Sequence, residues 1–137
     1  MKSRTLAVPM FALSACSNAP TTVQTMQSPD ASVELKVIKK DLGACCSNVL
    51  EASASIFGEE VENLLEIQGS SDVRYQWTGS DALSVVACNA RKIAYRSSFS
   101  NADYSRRFVV SVQNEAPQEA NGSITCTSER FQRMKAL

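Results

Sequence analysis

Cysteine is the residue type with the widest chemical range in this chain, which contains five cysteines and no histidine. The adjacent thiols of Cys45 and Cys46 suit redox exchange or a soft metal such as copper(I) or zinc, with Met26 as an assisting sulfur. However, the chain has no Cys-x-x-Cys spacing, and a zinc site would need four converging ligands. We keep a thiol redox or soft-metal function of Cys45 and Cys46 as an alternative, and we predict no bound cofactor or metal.

The other reactive residues do not form a recognisable catalytic set. Without histidine the chain lacks the imidazole that moves protons near neutral pH in Ser-His-Asp and Cys-His hydrolases. Four carboxylates crowd one stretch, namely Glu59, Glu60, Glu62 and Glu66. Nothing in their spacing places a pair across a cleft, so we interpret them as a solvated face. We therefore predict that the protein is not an enzyme.

The N-terminal residues have the organisation of a secretory signal. Lys2 and Arg4 precede an apolar stretch from Thr5 to Ala12, which is close to the lower limit of such a signal and too short to span a membrane. The next four residues, Leu13-Ser14-Ala15-Cys16, resemble the lipobox of bacterial lipoproteins at every position. The resemblance implies that residues 1–15 are a signal peptide and that the sulfur of Cys16 is lipidated, with palmitate among its acyl chains.

The lipoprotein interpretation implies a location. Ser17 stands where an aspartate would favour retention in the inner membrane. We therefore expect the periplasmic face of the outer membrane, with the inner membrane or the cell surface as alternatives. Because Lys2 and Arg4 leave with the signal, a chain with 14 cations and 14 anions becomes slightly acidic, which argues against nucleic acid as a partner. The sequence leaves the oligomeric state open.

An oxidising compartment would make disulfide candidates of the four other cysteines, Cys45, Cys46, Cys88 and Cys126. Adjacent cysteines bridge each other only with strain, because a disulfide torsion near 90° does not suit so small a ring. We therefore expect Cys45 and Cys46 to pair with Cys88 and Cys126, in an order that the sequence leaves open. A bridge closing a loop of about 40 residues would stabilise the fold by about 2–4 kcal/mol.

Composition divides the chain into four segments. After the signal of residues 1–15, residues 16–32 are rich in Ser, Thr, Gln and Pro. They are predicted to form the lipidated cysteine and a flexible tether whose ends lie about 20–25 Å apart. Residues 33–128 are predicted to fold as one β-domain, and residues 129–137 to form a C-terminal tail.

Alternating apolar and polar residues predict an all-β domain. Strand patterns are found at 33–38, 73–78, 83–88, 92–97, 106–113 and 123–127. Short strands separated by turn residues are typical of an antiparallel sandwich or barrel, here of about six to eight strands. We predict that Trp77 is the anchor of the core.

Two segments also have helical spacing. The apolar residues of 46–67 suit either a short helix ending at Gly58 or alternating strands. We favour strands, because the flanking elements are β and an isolated short helix is weakly stable. At the C-terminus, Phe131, Met134 and Leu137 stand three apart, which predicts a short helix covering a sheet edge. A tail that binds a partner or anionic lipid is the alternative there.

The order of these elements resembles a class of small uncharacterised secreted bacterial β-proteins. In that class an aspartate and a glycine precede a cysteine-containing hairpin, as in Asp41-Leu42-Gly43-Ala44-Cys45-Cys46, and a Trp-turn-Leu unit opens a later hairpin, as from Trp77 to Leu83. The resemblance covers residues 33–113 and implies a β fold and an envelope location. It brings no activity.

These patterns together predict an envelope-anchored lipoprotein whose domain acts by non-catalytic binding to another envelope protein. A sheet edge or an exposed loop such as Ser98–Ser105 is the predicted contact surface. Two alternatives stay open: the thiol function of Cys45 and Cys46, and an inhibitor or exclusion factor that protects the cell against a secreted effector.

Overall fold

The computed structural model describes residues 21–41, 48–70, 72–120 and 122–137. Within these ranges the regular elements are short strands and one helix. In chain order they are β1 Thr21–Gln27, β2 Val33–Lys40, β3 Val49–Ile56, β4 Glu59–Gln68, β5 Val73–Gly79, β6 Ala82–Cys88, β7 Lys92–Tyr95, β8 Ser98–Ser100, β9 Arg107–Glu115, β10 Gln118–Ala120, β11 Ser123–Thr125, α1 Glu129–Arg133 and β12 Lys135–Ala136.

Ten of the strands form two five-stranded sheets. Sheet 1 has the strand order β1-β2-β3-β4-β7, and sheet 2 has the order β12-β5-β6-β9-β8. All neighbouring strands are antiparallel except β6 and β9, which are parallel. The predicted all-β class is confirmed, and the two sheets form a sandwich rather than a closed barrel. The described residues contain twelve strands rather than six to eight, because the pattern missed the short strands β8, β10 and β12 and because β1 was predicted to be part of a tether.

Alternation along each strand decides which side chains enter the core. On β2, Val33, Leu35 and Val37 are buried, while the intervening Glu34 and Lys36 are exposed. These apolar side chains belong to one core that both sheets share. Burial of that apolar surface is the main force that holds sheet 1 against sheet 2.

Phe108 of β9 lies at the centre of this core and is fully buried. Its ring centroid is 5.5 Å from that of Trp77, in an edge-to-face arrangement, and 4.9 Å from that of Phe99. Trp77, the predicted anchor, is only half-buried at the border of the core. Phe108 therefore holds the central position that we had predicted for Trp77.

The segment 46–67 is a hairpin over its described residues, so the helical alternative is wrong there. Leu50, Ala52, Ala54 and Ile56 alternate with less buried residues along β3. The turn to β4 is Phe57–Gly58, with φ of +49° and +85°, the left-handed pair typical of a two-residue hairpin turn. Farther along β4 the register shifts opposite Ala52 and Ala54, which marks a β-bulge.

Residues 21–32 are ordered, so the prediction of a flexible tether over 16–32 is wrong for this part. All seven residues of β1 pair with β2 in one register, and Met26 is buried against the core. Threonine and valine favour extended backbone, and β2 offers this strand an open row of hydrogen-bonding groups. Residues 16–20 of the predicted tether lie outside the described residues.

The C-terminal segment covers one edge of sheet 2, as predicted. The side chain of Ser128 caps α1 by accepting from the backbone N–H of Phe131 at 3.1 Å. After the helix, β12 pairs with β5, and the Leu137 N–H donates to the Val73 carbonyl at 2.8 Å. Phe131, Met134 and Leu137 are all buried. Their apolar groups are used inside the domain and are not presented to a lipid surface.

Removal of the central aromatic ring tests this description of the core. We expect Phe108→Ala to lower the free energy of unfolding by about 3–5 kcal/mol, because it leaves a cavity between the two sheets. The neighbouring Val109→Ala is the matched control, since Val109 is 42% exposed, and it should change stability by less than about 1 kcal/mol. Urea denaturation followed by circular dichroism measures both values, and equal effects would contradict the description.

Candidate functional site

A disulfide joins Cys88 to Cys126, the two cysteines that the structure describes. The expectation that these two cysteines pair with Cys45 and Cys46 is therefore wrong. Cys88 ends β6 on the outer side of sheet 2, and Cys126 lies beside it in a second small core with Val86, Phe131 and Met134. The bridge holds the C-terminal segment on sheet 2, so its role is structural.

The other sulfur sites predicted from sequence lie outside the described residues. These are the lipidation site Cys16 and the vicinal pair Cys45 and Cys46. Within the described ranges, no group of three or more His, Cys, Asp or Glu side chains converges as a metal site requires.

The predicted contact loop, Ser98–Ser105, begins with a strand. Ser98, Phe99 and Ser100 form β8 at one edge of sheet 2 and pair with β9. The Val110 N–H donates to the Ser97 carbonyl at 2.9 Å, and the Asn101 N–H donates to the Arg106 carbonyl at 3.3 Å. Because backbone groups alternate in direction along an antiparallel strand, those of Ser98 and Ser100 point away from β9. The edge therefore presents two N–H and two C=O groups outward.

A cavity of about 540 Å³ adjoins this edge. It is lined by β8, by Tyr104 and by two arginines, Arg96 before β8 and Arg107 on β9. Tyr104 is 83% exposed with a φ of +58°, a left-handed conformation that is unusual for a bulky side chain. The guanidinium groups of Arg96 and Arg107 make no hydrogen bond or ion pair with any described residue. We call β8, Arg96, Tyr104 and Arg107 the arginine edge.

Hydrogen bonds hold the turn after β8 in place. The buried Asn101 side chain accepts from the Arg106 N–H at 2.9 Å and donates to the Ser105 hydroxyl at 2.8 Å. The Ser105 N–H donates to the Asp103 carboxylate at 3.0 Å, and this bond and the Ser105 hydroxyl lower the pKa of Asp103. The Tyr104 side chain is therefore presented to solvent from a fixed turn.

Arg106 joins this turn to both sheets. Its guanidinium forms ion pairs with Asp30 at 2.8 Å, in the β1–β2 turn, and with Asp81 at 2.7 Å, in the β5–β6 turn. It also donates to the Ser80 carbonyl at 3.0 Å. The three turns therefore meet at one end of the sandwich.

No family model, curated protein or solved structure matches this chain. The structure contributes one further observation on membranes. Its helix α1 has five residues, and no helix among the described residues has the length and hydropathy of a membrane span.

A second cavity, of about 640 Å³, lies on the outer face of sheet 1. Two of the four glutamates that we interpreted as a solvated face border it: Glu62 is exposed and Glu66 is half-buried, and Glu51 adds a third carboxylate. Lys36 and Arg96 face the same cavity, and Lys40 lies 3.4 Å from Glu51. The charges of both signs balance, so this face favours no particular ion.

Arg96, Tyr104 and Arg107 were not singled out from the sequence as site residues. Only the pairing of 97–101 with 106–110 brings the two arginines to one cavity. A predicted hairpin that paired 98–100 with 107–109 would have brought the two arginines together. Residues 98–105 were instead predicted to be a loop. That Ser98–Ser105 is a contact surface stays a prediction, and the two arginines and the tyrosine beside it were missed.

The junction at Arg106 predicts a pH dependence of stability. The Ser32 hydroxyl and N–H, the Ser28 hydroxyl and Arg106 all donate to Asp30 and hold its pKa well below the ordinary value. The stabilisation by the carboxylate is therefore complete above the unfolded pKa near 4 and is lost as the pH falls from there toward the folded pKa. We expect Asp30→Asn to flatten the fall in the free energy of unfolding between pH 5 and pH 2.

Urea titrations of the wild type and the variant at each pH measure this effect. Glu60→Gln is the matched control, because Glu60 is an exposed carboxylate on β4, and it should keep the wild-type slope. A wild-type slope in Asp30→Asn would show that Asp30 does not stabilise the junction.

Proposed function

We propose that this protein is a lipid-anchored envelope protein that binds another envelope protein through the arginine edge, without catalysis. The main support for this binding surface is a pair of arginines, Arg96 and Arg107, that have no partner among the described residues and lie beside a fixed, exposed tyrosine. The lipobox resemblance of Leu13-Ser14-Ala15-Cys16 supports the anchor.

The chemistry of the arginine edge suits an acidic partner surface. Arginine presents several N–H donors in a planar fork that matches a carboxylate, and the guanidinium groups of Arg96 and Arg107 have no partner among the described residues. Tyrosine offers a rigid contact area with a polar tip, a combination enriched in protein interfaces. Two cations around one aromatic side chain therefore favour a protein segment bearing aspartate or glutamate.

The arginine edge also lies away from the point of anchorage. Only residues 17–20 separate Cys16 from β1, so an anchored Thr21 lies within about 18 Å of the lipidated sulfur. The strand then runs about 20 Å to its far end, where Asp30 meets Arg106 of the β8–β9 turn. The turn with Tyr104 therefore lies at the end of β1 that is farther from the anchor of the same copy.

Photo-crosslinking in intact cells of the native host tests the binding surface. With a photoreactive phenylalanine at position 104, we expect a discrete adduct whose crosslinked peptide contains acidic residues. The double variant Arg96→Glu with Arg107→Glu should lower the adduct yield about tenfold or more, because it replaces attraction by like-charge repulsion.

The matched control is Lys92→Glu with Lys135→Glu, which changes the net charge equally at two exposed cations outside the cavity. This control should keep the wild-type adduct yield. Absence of an adduct, or equal loss in both double variants, would contradict binding through the arginine edge.

One observation also favours the alternative function, thiol redox exchange or soft-metal binding by Cys45 and Cys46. Because Cys88 and Cys126 are joined to each other, neither is free to pair with Cys45 or Cys46. Vicinal cysteines that keep both thiols are the starting point for redox exchange or soft-metal binding.

Mass spectrometry of protein from the native host tests the anchor and the thiol alternative together. We expect a chain that begins at an acylated Cys16 and has no free thiol at Cys45 or Cys46, because an oxidising compartment removes vicinal thiols. An uncut, unmodified N-terminus would contradict the anchor. Two thiols that react rapidly at neutral pH would favour the thiol function over binding.

A further inference from the structure

The four outer strands of the two sheets differ in the features that prevent them from pairing with strands of other chains. β7 begins with Lys92 and is followed by Arg96, β8 has three residues beside two arginines, and β12 has two residues, including Lys135. Short length and nearby charge are the usual means by which sheet edges avoid pairing with other chains. β1 has neither: its seven residues, Thr-Thr-Val-Gln-Thr-Met-Gln, carry no charge and no proline.

The hydrogen bonds of β1 leave every second residue with outward backbone groups. The Ser28 N–H donates to the Val33 carbonyl at 2.8 Å, and the register then directs Met26 and Gln24 toward β2 as well. The N–H and C=O groups of Val23, Thr25 and Gln27 consequently face away from the sheet. Their side chains are exposed too, and Val23 is exposed by 56%.

We propose that β1 pairs with β1 of a second copy of this chain, antiparallel about a two-fold axis at Gln24. In this register Val23 of each copy lies opposite Thr25 of the other, and Gln27 lies opposite Thr21. The outward groups of Val23 and Thr25 therefore meet those of Thr25 and Val23 in the other copy, and the exposed faces of the two copies stay on the same side. The two copies of sheet 1 form one continuous sheet of ten strands.

The charges beside β1 match this arrangement. Within one copy, Glu34 of β2 stands next to Gln27, and Lys40 stands next to Thr21. Antiparallel pairing therefore aligns the acidic end of each β2 with the basic end of β2 in the other copy. Loss of Lys2 and Arg4 from a chain with 14 cations and 14 anions leaves a net charge of only −2, which gives little repulsion between identical copies.

Proline substitution at an outward position tests the pairing of the strand backbone. Thr25→Pro removes an N–H that points away from β2, so sheet 1 itself keeps its hydrogen bonds. The wild-type chain should sediment as a dimer at micromolar concentration in a density-matched neutral detergent. Thr25→Pro removes one hydrogen bond per copy and should raise the dissociation constant about 30-fold or more.

Thr25→Val is the matched control, because it keeps the N–H and the extended backbone, and it should remain a dimer. Val23→Lys introduces on β1 a charge like those at the other edges and should also weaken the dimer. This second variant tests the proposal even if Thr25→Pro fails to fold. A monomeric wild type at about 100 μM, or a folded Thr25→Pro that dimerises like the wild type, would overturn the proposal. Either result leaves binding through the arginine edge unaffected.

Discussion

A sheet that does not close into a barrel leaves N–H and C=O groups without a strand partner along each of its two outer strands. How these groups are covered distinguishes the edges of this sandwich. Backbone polar groups must find a partner in the protein, in another chain or in water. In sheet 2, the C-terminal segment pairs with β5 through β12, and the Cys88–Cys126 bridge holds that segment in place. At the other edge, β8 stays open beside Arg96 and Arg107. In sheet 1, β1 carries no charge, and no described strand pairs with its outer side.

Among the outer strands, β8 and β1 suit two different kinds of contact. At β8 the outward backbone groups lie among arginines and a fixed tyrosine, so the affinity of the proposed partner would depend on its charge. At β1 the outward groups stand in a longer, uncharged row, so the proposed pairing with an identical strand would depend on backbone hydrogen bonds. The two proposed contacts would therefore use different strands and would not compete for the same residues.

The alternating pattern was sufficient to predict the long strands and the class of the fold. Val33, Leu35 and Val37 show it clearly, because one side of β2 meets a core and the other meets solvent. The pattern was insufficient where tertiary pairing decides the structure. Thr21–Gln27 has the composition of a linker, yet it becomes a strand because β2 offers it partners and Met26 reaches the core.

The candidate site shows the same limit. The loop Ser98–Ser105 was singled out from its polar residues as a candidate contact region. The convergence of Arg96 and Arg107 depends on the register of β8 with β9, and a three-residue strand has too few residues to reveal it. The disulfide was assigned wrongly for a related reason: strain at adjacent cysteines argues against one bond, but says nothing about whether Cys88 and Cys126 lie side by side.

Amide hydrogen exchange of the wild-type chain, resolved by residue and followed over dilution, tests the account of the edges most directly. Gln24, Met26 and Phe99 donate within their sheets and should exchange slowly at every concentration. Ser98 and Ser100 should exchange quickly in the absence of a partner, and Val23 and Thr25 should change from slow to fast as the chain is diluted. Uniform protection along β1 or β8 in the dilute chain would contradict the account, because it would mean that these edges are already covered within one molecule.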